Sequence, residues 1–439
     1  MADERLTTEE VNDAWPVLSA GERVEAFQHM ARVDSDDFFL RLDAKDQSAI
    51  LLATPQNERK HWLRLLAPDD AADLLQHVPS ERRASMMEGL DDAAFREISA
   101  LMAYEEDNAG GLMSPRFVRL RHDMNVREAI HYLQKQAQAQ QRFETIYYAY
   151  VLDVRQHLEG VVSFRQLFAA APEKPISEVM TPNPISVPDT LDQEAVAAVM
   201  SKHDLPAIPV VDPEGRMKGI VTMDDIVDVV QREATEDIQK LGGMESLDTP
   251  YLQTGLLAMV RKRGGWLSAL FLGELLTASA MSTFEDEIAK AVVLALFVPL
   301  IISSGGNSGS QATTLIIRAM ALGEVRINDW WRIMRREFAA GMLLGLLLAS
   351  LGMTRILVWQ QIFHSYGEHS FVVALTVAVS LIGVVTWGTL AGSMLPFIIR
   401  RLGFDPASAS APFVATLVDV SGLVIYFEVA QFILRGTIL

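Results

Sequence analysis

The sequence of 439 residues contains no cysteine. This absence excludes disulfide bonds, thiolate metal sites, iron–sulfur clusters and cysteine nucleophiles. Oxygen ligands remain as the abundant metal chemistry, and they favour magnesium, calcium or manganese over softer metals. The nine histidines are scattered, and the sequence contains neither an evident nucleophile–base pair nor a phosphate-binding loop. We therefore do not expect an enzyme.

Positive charge is scarce in the first part of the chain. Residues 1–250 contain 25 Lys and Arg against 45 Asp and Glu, whereas residues 251–439 contain 13 against 11. An acidic surface argues against DNA or RNA as a partner, because phosphates need a basic face. The first residues, MADERLTTEEVND, lack the apolar stretch of a signal peptide. We expect the acidic part to stay in the cytoplasm.

The second part contains long apolar segments. Stretches of about 20 apolar residues can cross a bilayer. A helix in a soluble core is the alternative for any single stretch, but five close together favour a membrane domain. The predicted spans are Gly265–Phe284, Ile288–Ser304, Phe338–Val358, Phe371–Ile399 and Pro412–Leu434.

The arginines between these spans predict their orientation, because Lys and Arg concentrate in cytoplasmic loops. The loop after the fourth span contains Arg400 and Arg401, and the loop between the third and fourth spans, Gln360–Ser370, contains no Lys or Arg. Five spans would then place the carboxyl terminus outside. The arginines after the second span are Arg318, Arg326, Arg332, Arg335 and Arg336.

The second predicted span has an unusual end. Pro299 interrupts it, and the small polar run Ser303–Gln311 follows. Non-helical backbone at membrane depth survives only where it is packed in protein or lines water, so this run predicts a broken helix at a transport site. A plain cytoplasmic turn is the alternative.

Asp419 is the sharpest signal within the spans. An aspartate at the centre of a membrane helix costs roughly 2.5–3.5 kcal/mol on insertion scales. The fifth span supplies no Lys or Arg before Arg435. Asp419 is therefore predicted to bind a cation, and Glu274 and Glu428 are weaker candidates. The motif Gly341–Gly345 predicts close helix packing.

Residues 1–105 lack strand alternation and are predicted to form short amphipathic helices. One helix should begin at Pro68, because proline and acidic residues favour a first helical turn. Asp69 and Asp73 would share a face of that helix. They are candidate metal ligands, and stabilisation of the helix dipole on a solvated face is the equal alternative.

Residues 110–230 contain an internal repeat. The run Gly111–Pro115 recurs at Glu178–Pro182, and Glu159–Leu167 recurs at Lys218–Ile226. The pattern is similar to a tandem pair of CBS domains, which commonly bind adenine nucleotides. The ribose contacts of such domains match Thr222 and Asp225 in the second copy. The first copy has Ser163 and Gln166 there, which puts a nucleotide at that copy in doubt.

The densest acidic stretch follows the repeat. Residues 224–237 contain six acidic residues and one basic residue, Arg232. Like charges four residues apart cost roughly 0.2–0.5 kcal/mol per pair in an isolated helix, so cations would stabilise this one. A solvated acidic face is the alternative to a magnesium or calcium site.

Taken together, these features resemble the MgtE family of bacterial magnesium channels over nearly the whole chain. The most specific motifs are Tyr104–Met113, Glu144–Tyr148, Glu233–Ile238, Gly305–Gln311 and Thr416–Leu423.

The resemblance implies a multidomain fold: an all-α superhelical N domain, an α/β tandem CBS pair and an α-helical polytopic membrane domain with five transmembrane helices. The expected boundaries are 1–105 for the N domain, 106–170 and 171–238 for the CBS copies, 239–263 for a connecting plug helix (about Leu241–Lys262) and 264–439 for the pore domain. It also implies a homodimer in the bacterial cytoplasmic membrane, with one pore on the two-fold axis.

Mg²⁺ is implied as both cargo and regulator. The implied pore residues are Asp419, Asn307, Gly305, Gly306, Ala415 and Thr416. The implied regulatory ligands are Asp69, Asp73, Asp192, Glu194, Asp204, Asp225, Asp228, Glu233, Glu236, Asp237 and Asp405. Whether ATP binds the CBS pair at Thr222 and Asp225 stays open.

Two departures from the family pattern bear on these sites. The N domain is shorter than usual, which puts the reach of Asp69 and Asp73 in doubt. Ala411 stands where asparagine is often found, so a side-chain contribution to the ion path is lost there.

The resulting hypothesis is a channel that its own cargo closes. At high cytosolic Mg²⁺, ions bridge acidic residues and hold the pore shut, and at low Mg²⁺ the acidic residues repel one another. The alternatives are a CBS-regulated transporter of another divalent cation or solute, and a non-conducting membrane sensor.

Overall fold

The structure is a computed structural model that describes residues 7–138, 143–145, 147–247, 249–290, 292–364, 366 and 369–435. Residues 1–6, on which part of the signal-peptide expectation depends, lie outside this set. The chain divides into two compact units, and the boundary falls after Glu233.

The first unit begins with eight short helices, as the sequence predicts. Two of them start with a capping box, in which Thr7 pairs with Glu10 and Ser19 pairs with Glu22. Their apolar faces converge on Phe27, Phe39 and Trp62. The helices are α1 (Thr8–Ala14), α2 (Ala20–Gln28), α3 (Arg32–Phe39), α4 (Ala44–Ala53), α5 (Gln56–Leu65), α6 (Pro68–Gln76), α7 (Ser80–Met86) and α8 (Asp92–Leu101).

The repeat region folds into two small sheets flanked by helices. In each sheet a parallel pair of strands is followed by an antiparallel strand. The first copy contains α9 (Ala109–Leu112), β1 (Val118–Arg121), α10 (Val126–Gln138), β2 (Tyr148–Leu152), β3 (Leu158–Ser163) and α11 (Phe164–Ala169). The second contains β4 (Thr181–Pro182), β5 (Val187–Pro188), α12 (Gln193–His203), β6 (Ala207–Val211), β7 (Met217–Thr222) and α13 (Met223–Leu241).

Each repeated Met-Ser/Thr-Pro motif pairs with the sheet of the other CBS copy. Ser114 exchanges backbone hydrogen bonds with Ile220 of the second sheet, whereas β4 pairs with β3 of the first sheet. A Cβ atom at Gly219 would lie 2.8 Å from Met113 Cγ, and one at Gly160 would lie 2.4 Å from Met180 Sδ. Each glycine thus leaves room for the methionine of the other copy, which explains why both residues recur.

The second unit is almost entirely helical. Its core includes Ile301, Val384, Val418 and Tyr426. The helices after α13 are α14 (Leu256–Thr283), α15 (Glu285–Lys290), α16 (Val292–Ala295), α17 (Val298–Ala321), α18 (Trp330–Phe363), α19 (Ser370–Arg401) and α20 (Ala411–Leu434).

Within the described residues, four segments are long and apolar enough to cross a membrane. They are Val292–Ala321, Ile327–Phe363, Ser370–Arg401 and Ala411–Leu434. The first predicted span, Gly265–Phe284, lies in the helix α14, which begins nine residues earlier and includes Arg261, Lys262 and Arg263. A membrane domain is therefore confirmed with four candidate spans.

The predicted connecting helix over 239–263 is wrong. Helix α13 ends at Leu241, and the next helix begins only at Leu256. Gly242 and Gly243 follow α13, and Gly243 has a φ of +72°, a conformation that glycine adopts without strain. A Cβ atom at Gly243 would lie 2.9 Å from the Trp266 ring, so only glycine fits at this close approach.

The predicted break in the second span is also misplaced. Residues 303–311 form regular helix in the middle of α17, and the interruption lies before Pro299, which occupies the first turn of α17. The glycines serve packing instead: a Cβ atom at Gly388 of α19 would lie 2.3 Å from Gly305 O, and one at Gly392 would lie 2.1 Å from Gly309 O. Small residues let two membrane helices approach this closely.

The motif Gly341–Gly345 likewise packs tightly, as predicted. A Cβ atom at Gly341 would lie 2.9 Å from Thr386 Cα, and one at Gly345 would lie 2.8 Å from Ile382 Cα. The contact is therefore between α18 and α19 of the same chain.

The exchange of motifs between the CBS copies can be tested with Gly219→Val. The new side chain would meet Met113 and the Ser114 carbonyl oxygen, and overpacking of this kind costs about 1–3 kcal/mol in free energy of unfolding. We expect a lower melting temperature for the full-length protein in detergent. Gly21→Ala is the control, because a Cβ atom there meets nothing within 4 Å. Equal melting temperatures for the two variants would contradict the exchange.

Candidate functional site

Acidic side chains gather where the first turn of α6 approaches the start of α13. Asp69 is 5% exposed, and Glu144, Asp225 and Asp70 interact with it electrostatically. Asp73, one turn further along α6, interacts with Glu106 and Asp70. The short N domain thus does bring Asp69 and Asp73 to the CBS pair within the first unit.

Local structure fixes both sides of this acidic cluster. On α6, Pro68 occupies the first turn, and the apolar residues Ala71, Leu74 and Leu75 are buried beneath the acidic ones. On the other side, Asp225 Oδ2 accepts hydrogen bonds from the Thr222 hydroxyl (2.6 Å) and from the Thr222 backbone N–H (3.3 Å). These contacts cap the start of α13 and hold the Asp225 carboxylate in place.

The cluster is short of positive charge. Burial, together with Glu144, Asp225 and Asp70, raises the pKa of Asp69 well above its usual range. Burial also raises the pKa of Asp225 to about 7, although the hydrogen bond from Thr222 opposes this. Burial, Glu106 and Asp70 raise the pKa of Asp73 to about 7, against the opposing charge of Arg232. Each carboxylate would therefore gain from a nearby cation.

A second group of acidic residues surrounds the start of α12. Asp192 caps this helix by accepting a hydrogen bond from the Glu194 backbone N–H at 2.9 Å. The Gln193 amide donates to the Glu233 carboxylate and, at 3.4 Å, to Asp107 Oδ1. Glu233 of α13 is thereby held at Gln193, the residue between Asp192 and Glu194 in the sequence.

Of the remaining regulatory candidates, Asp228 borders the first group and the others lie apart from both groups. Asp204 ends α12, at the opposite end from Asp192, so the two are separated by roughly 16 Å of helix and cannot share an ion. Asp228 is exposed on α13, near Asp70. Glu236 and Asp405 are bridged by Lys240 in the second unit, and Asp237 lies on the same helix as Glu236. The predicted ligands therefore fall into several separate groups.

The acidic cluster between α6 and α13 fits Mg²⁺ by its chemistry. Asp69 Oδ1 is buried and has no hydrogen-bond partner among the described residues. No three acidic or histidine side chains in the described part of the chain are already grouped as ligands of one ion. Mg²⁺ usually keeps several waters and binds one or two carboxylates directly, so a full set of protein ligands is not required. Asp69 and Asp225 would hold the ion.

In both CBS copies, the candidate ribose-contacting residues cap the helix that follows the last strand. Thr222 and Asp225 cap α13, and Ser163 and Gln166 form the equivalent capping box at α11, in which Ser163 N–H donates to Gln166 Oε1 at 2.8 Å. The residue types differ, but both pairs fix the turn from strand to helix. A nucleotide at either copy would have to use side chains that already serve as caps.

In the membrane unit, Asp419 of α20 faces Gly306 of α17. A Cβ atom at Gly306 would lie 3.9 Å from Asp419 Oδ1 and 3.6 Å from Ala415 Cβ. The absence of a side chain at Gly306 therefore leaves space beside the carboxylate. Glu274 of α14 lies near enough to Asp419 to interact with it electrostatically.

The other predicted pore residues have different surroundings. Gly305 is buried against Val384 and Val418, so it serves packing. The Thr416 methyl group faces α14, where a Cβ atom at Gly273 would lie 2.8 Å from it. Asn307 is exposed. The structure thus groups Gly306, Ala415 and Asp419, and it leaves Gly305, Thr416 and Asn307 outside this contact.

Asn307 belongs to a polar stripe along α17 that the sequence interpretation missed. Its members are exposed in the single chain and are spaced three or four residues apart, which places them on one face of the helix. The signal was the helical spacing of the polar residues, which the assumption of a broken helix concealed. The stripe consists of Ser303, Asn307, Gln311 and Thr314, with Arg318 at its end.

The sequence analysis also missed several residues that contact the predicted ligands. Glu144, Asp70 and Glu106 interact with the predicted ligands on α6, and Gln193 holds Glu233. Their approach depends on how separate segments pack, and sequence spacing carries no signal for it.

The raised pKa values predict a pH dependence in metal-free buffer. An aspartate whose pKa rises on folding binds its proton more tightly in the folded state, so stability falls as pH rises through the folded-state value, about 7 for Asp73 and Asp225. We expect a higher melting temperature near pH 5 than near pH 8 in EDTA, and a smaller difference for Asp225→Asn. The control is Asp37→Asn at an exposed position. A pH dependence that Asp225→Asn leaves unchanged would contradict the buried acidic cluster.

Comparison with known proteins agrees with this architecture. Residues 298–429 match the family MgtE, described as a divalent cation transporter, residues 6–107 match the MgtE intracellular N domain, and residues 176–232 match the CBS domain.

Two relatives named magnesium transporter MgtE align over most of the chain. The protein of Thermus thermophilus is 38% identical over 436 residues, covering 99% of this chain and 94% of the relative. The protein of Bacillus subtilis is 30% identical over 408 residues, covering 93% and 88%. A solved structure of the cytosolic domain of the Mg²⁺ channel MgtE in complex with ATP is 36% identical, covers 52% of this chain and 92% of that one, and has a TM-score of 0.46. From the full-length matches, this chain belongs to the MgtE family of divalent cation transporters.

Proposed function

We propose that this chain carries Mg²⁺ across the bacterial cytoplasmic membrane as a channel, and that cytosolic Mg²⁺ closes it. The observation that carries the proposal is the position of Asp419, a carboxylate within the candidate span α20 that faces the space left by Gly306. A charge at that depth needs water, a partner or a cation. A hydrated magnesium ion meets this need, since it sheds its water reluctantly.

The polar stripe on α17 supports a water-filled path. Ser303, Asn307, Gln311 and Thr314 are exposed in the single chain, and polar side chains facing lipid would be unfavourable. They should instead face water or a second copy of the chain. Both conditions are met by a homodimer whose pore lies between the two copies of α17 and α20.

In this proposal α14 is the first of five spans. Its apolar residues Leu267, Phe271, Leu272 and Leu276 are exposed, as expected for contact with lipid or a second subunit. The arginines at the end of α17, at the start of α18 and at the end of α19 then lie in the cytoplasm with the N domain and the CBS pair. The carboxyl terminus lies outside.

Gating follows from the acidic clusters. Ions bound by Asp69, Asp73 and Asp225 would stabilise the contact between the N domain and the CBS pair, and their loss would leave like charges facing one another. The effect on the pore depends on differential affinity of the ions for the closed and open states. Whether ATP also binds the CBS pair is decided by whether ATP alone, without Mg²⁺, raises the melting temperature.

The pore assignment is tested by Mg²⁺ uptake into liposomes that contain the protein. Asp419→Asn should lower the uptake rate by about tenfold or more, because the cation loses its charged partner. Glu324→Gln is the control, since Glu324 is an exposed carboxylate in the turn after α17 and outside the proposed pore. Uptake that Asp419→Asn leaves intact would refute the assignment. Competition by Mn²⁺ and Co²⁺ in the same assay identifies the preferred ion.

The regulatory assignment is tested by patch-clamp recording with varied cytosolic Mg²⁺. The triple variant Asp69→Asn, Asp73→Asn and Asp225→Asn should shift inhibition to at least severalfold higher Mg²⁺, because ions bound at this contact no longer contribute to the free energy of closing. Asp37→Asn serves again as the exposed control. Unaltered inhibition in the triple variant would show that this cluster does not regulate the pore.

A further inference from the structure

Two of the carboxylates expected to bind regulatory Mg²⁺, those of Glu236 and Asp405, form ion pairs with the same lysine. Lys240 Nζ lies 2.5 Å from Glu236 Oε1 and 2.6 Å from Asp405 Oδ2. The Lys240 side chain is only 28% exposed, and those of Glu236 and Asp405 are 38% and 39% exposed. The ammonium therefore occupies the space between the two carboxylates in which a bridging ion would otherwise sit.

The partners of Lys240 are held in position by other contacts. Asp405 Oδ1 accepts a hydrogen bond from the Ala407 backbone N–H at 2.9 Å, so only its second oxygen turns towards Lys240. Glu236 lies one helical turn before Lys240 on α13, a spacing that favours a pair between them. The ion pair thus joins the end of α13 to the segment between α19 and α20.

Apolar contacts act at the same place. Leu241, the last residue of α13, packs against Ile317, Ala407 and Ala409. Immediately after it, Gly243 lies against Trp266 and Pro412, and Trp266 Nε1 donates to Ser410 Oγ at 3.2 Å. Ser410 caps α20, the helix that carries Asp419. The end of α13 therefore docks at the start of the helix that bears the candidate pore residue.

The charge of Lys240 is permanent over the physiological range. Burial alone would lower its pKa, but the hydrogen bonds with Asp405 and Glu236 outweigh burial and raise the pKa above its usual range. A lysine in this position remains an ammonium ion at any cytosolic pH.

We propose that Lys240 is a tethered cation that takes the place of Mg²⁺ between Glu236 and Asp405, and that it docks the end of α13 on the 405–412 segment without metal. The inference rests on the proposed function for its regulatory meaning, since it removes one pair from the set of Mg²⁺ sensors. The sensing of cytosolic Mg²⁺ then falls to the acidic clusters of the first unit.

Lys240 also competes with divalent ions for Glu236 and Asp405. A divalent ion entering between Glu236 and Asp405 would have to displace the ammonium, and a lysine on the same helix returns at a high effective concentration. When the lysine is replaced by a neutral side chain, the two carboxylates become an ordinary site for Mg²⁺. The variant should therefore acquire a Mg²⁺ dependence at this contact that the natural sequence lacks.

The absence of native cysteine makes a cross-linking test direct. The full-length protein carrying Leu241→Cys and Ala407→Cys is treated with a short bis-maleimide in EDTA or in millimolar Mg²⁺. With Lys240 present, the rate of cross-linking should be the same in both buffers. With Lys240→Met, the rate in EDTA should fall about two- to fivefold, the range expected for loss of partly exposed ion pairs, and Mg²⁺ should restore it.

Two further variants complete the experiment. Lys240→Arg should cross-link like the natural sequence, because it keeps the positive charge. Lys202→Met, at an exposed lysine on α12, should also have no effect. The proposal is overturned if the Lys240 protein needs Mg²⁺ to cross-link, if Lys240→Met cross-links fully in EDTA, or if Mg²⁺ fails to restore that variant.

Failure of the inference is distinguishable from failure of the proposed function. Mg²⁺ uptake is measured on liposomes that contain the same Lys240 protein. Absent uptake with the expected cross-linking pattern would refute the proposed transport and leave the tethered cation in place. Uptake with the opposite cross-linking pattern would refute the tethered cation alone.

Discussion

In the first unit, the contact between α6 and the start of α13 is governed by repulsion between carboxylates that the fold holds close together. The acidic face of α6 cannot simply turn to solvent, because Ala71, Leu74 and Leu75 on the opposite face are buried in the core. Asp225 is equally constrained by its cap contacts with Thr222. Apolar packing therefore holds the acidic residues close while their charges oppose the contact. In the proposed function, cations that bind these carboxylates stabilise the contact, so its free energy would vary with cation concentration.

The chain neutralises its acidic residues by two different means. In the second unit Lys240 supplies a fixed positive charge to Glu236 and Asp405, and this contact needs nothing from solution. In the first unit Asp69 has a buried oxygen without a partner in the described residues, and Arg232 is a basic group that offsets Asp73. The difference separates a contact that should persist in all conditions from one that should form and break. Under the proposed function, such a division suits a protein that stays assembled at the membrane while another part senses an ion.

Sequence reasoning was most successful where the deciding interactions are local. The helix start at Pro68 and the recurring Met-Ser/Thr-Pro motif are patterns of neighbouring residues, and both lead to the observed elements. It failed at Ser303–Gln311, because the glycines there either break a helix or let another helix approach, and only the position of α19 decides between these outcomes. It named Asp69 from the pattern of its helix and Asp225 through a resemblance to CBS domains, but the neighbouring Glu144 comes from a distant segment. Contacts of that kind are set by tertiary packing.

Because residues 303–311 are helical, their backbone carbonyls are not free to contact an ion. An unwound segment would offer backbone carbonyls to an ion, whereas a helix satisfies its carbonyls internally and offers only side chains. Thr313 even turns its hydroxyl inward to Gly309 O and Gly392 O, at 2.9 and 2.8 Å. The groups left for a passing ion on α17 are therefore Ser303, Asn307, Gln311 and Thr314, which are neutral. In the proposed pore, the charge that attracts a cation comes from Asp419 of α20 and from Glu274 of α14, which interacts with it. A neutral polar wall opposite a carboxylate suits an ion that keeps its water shell.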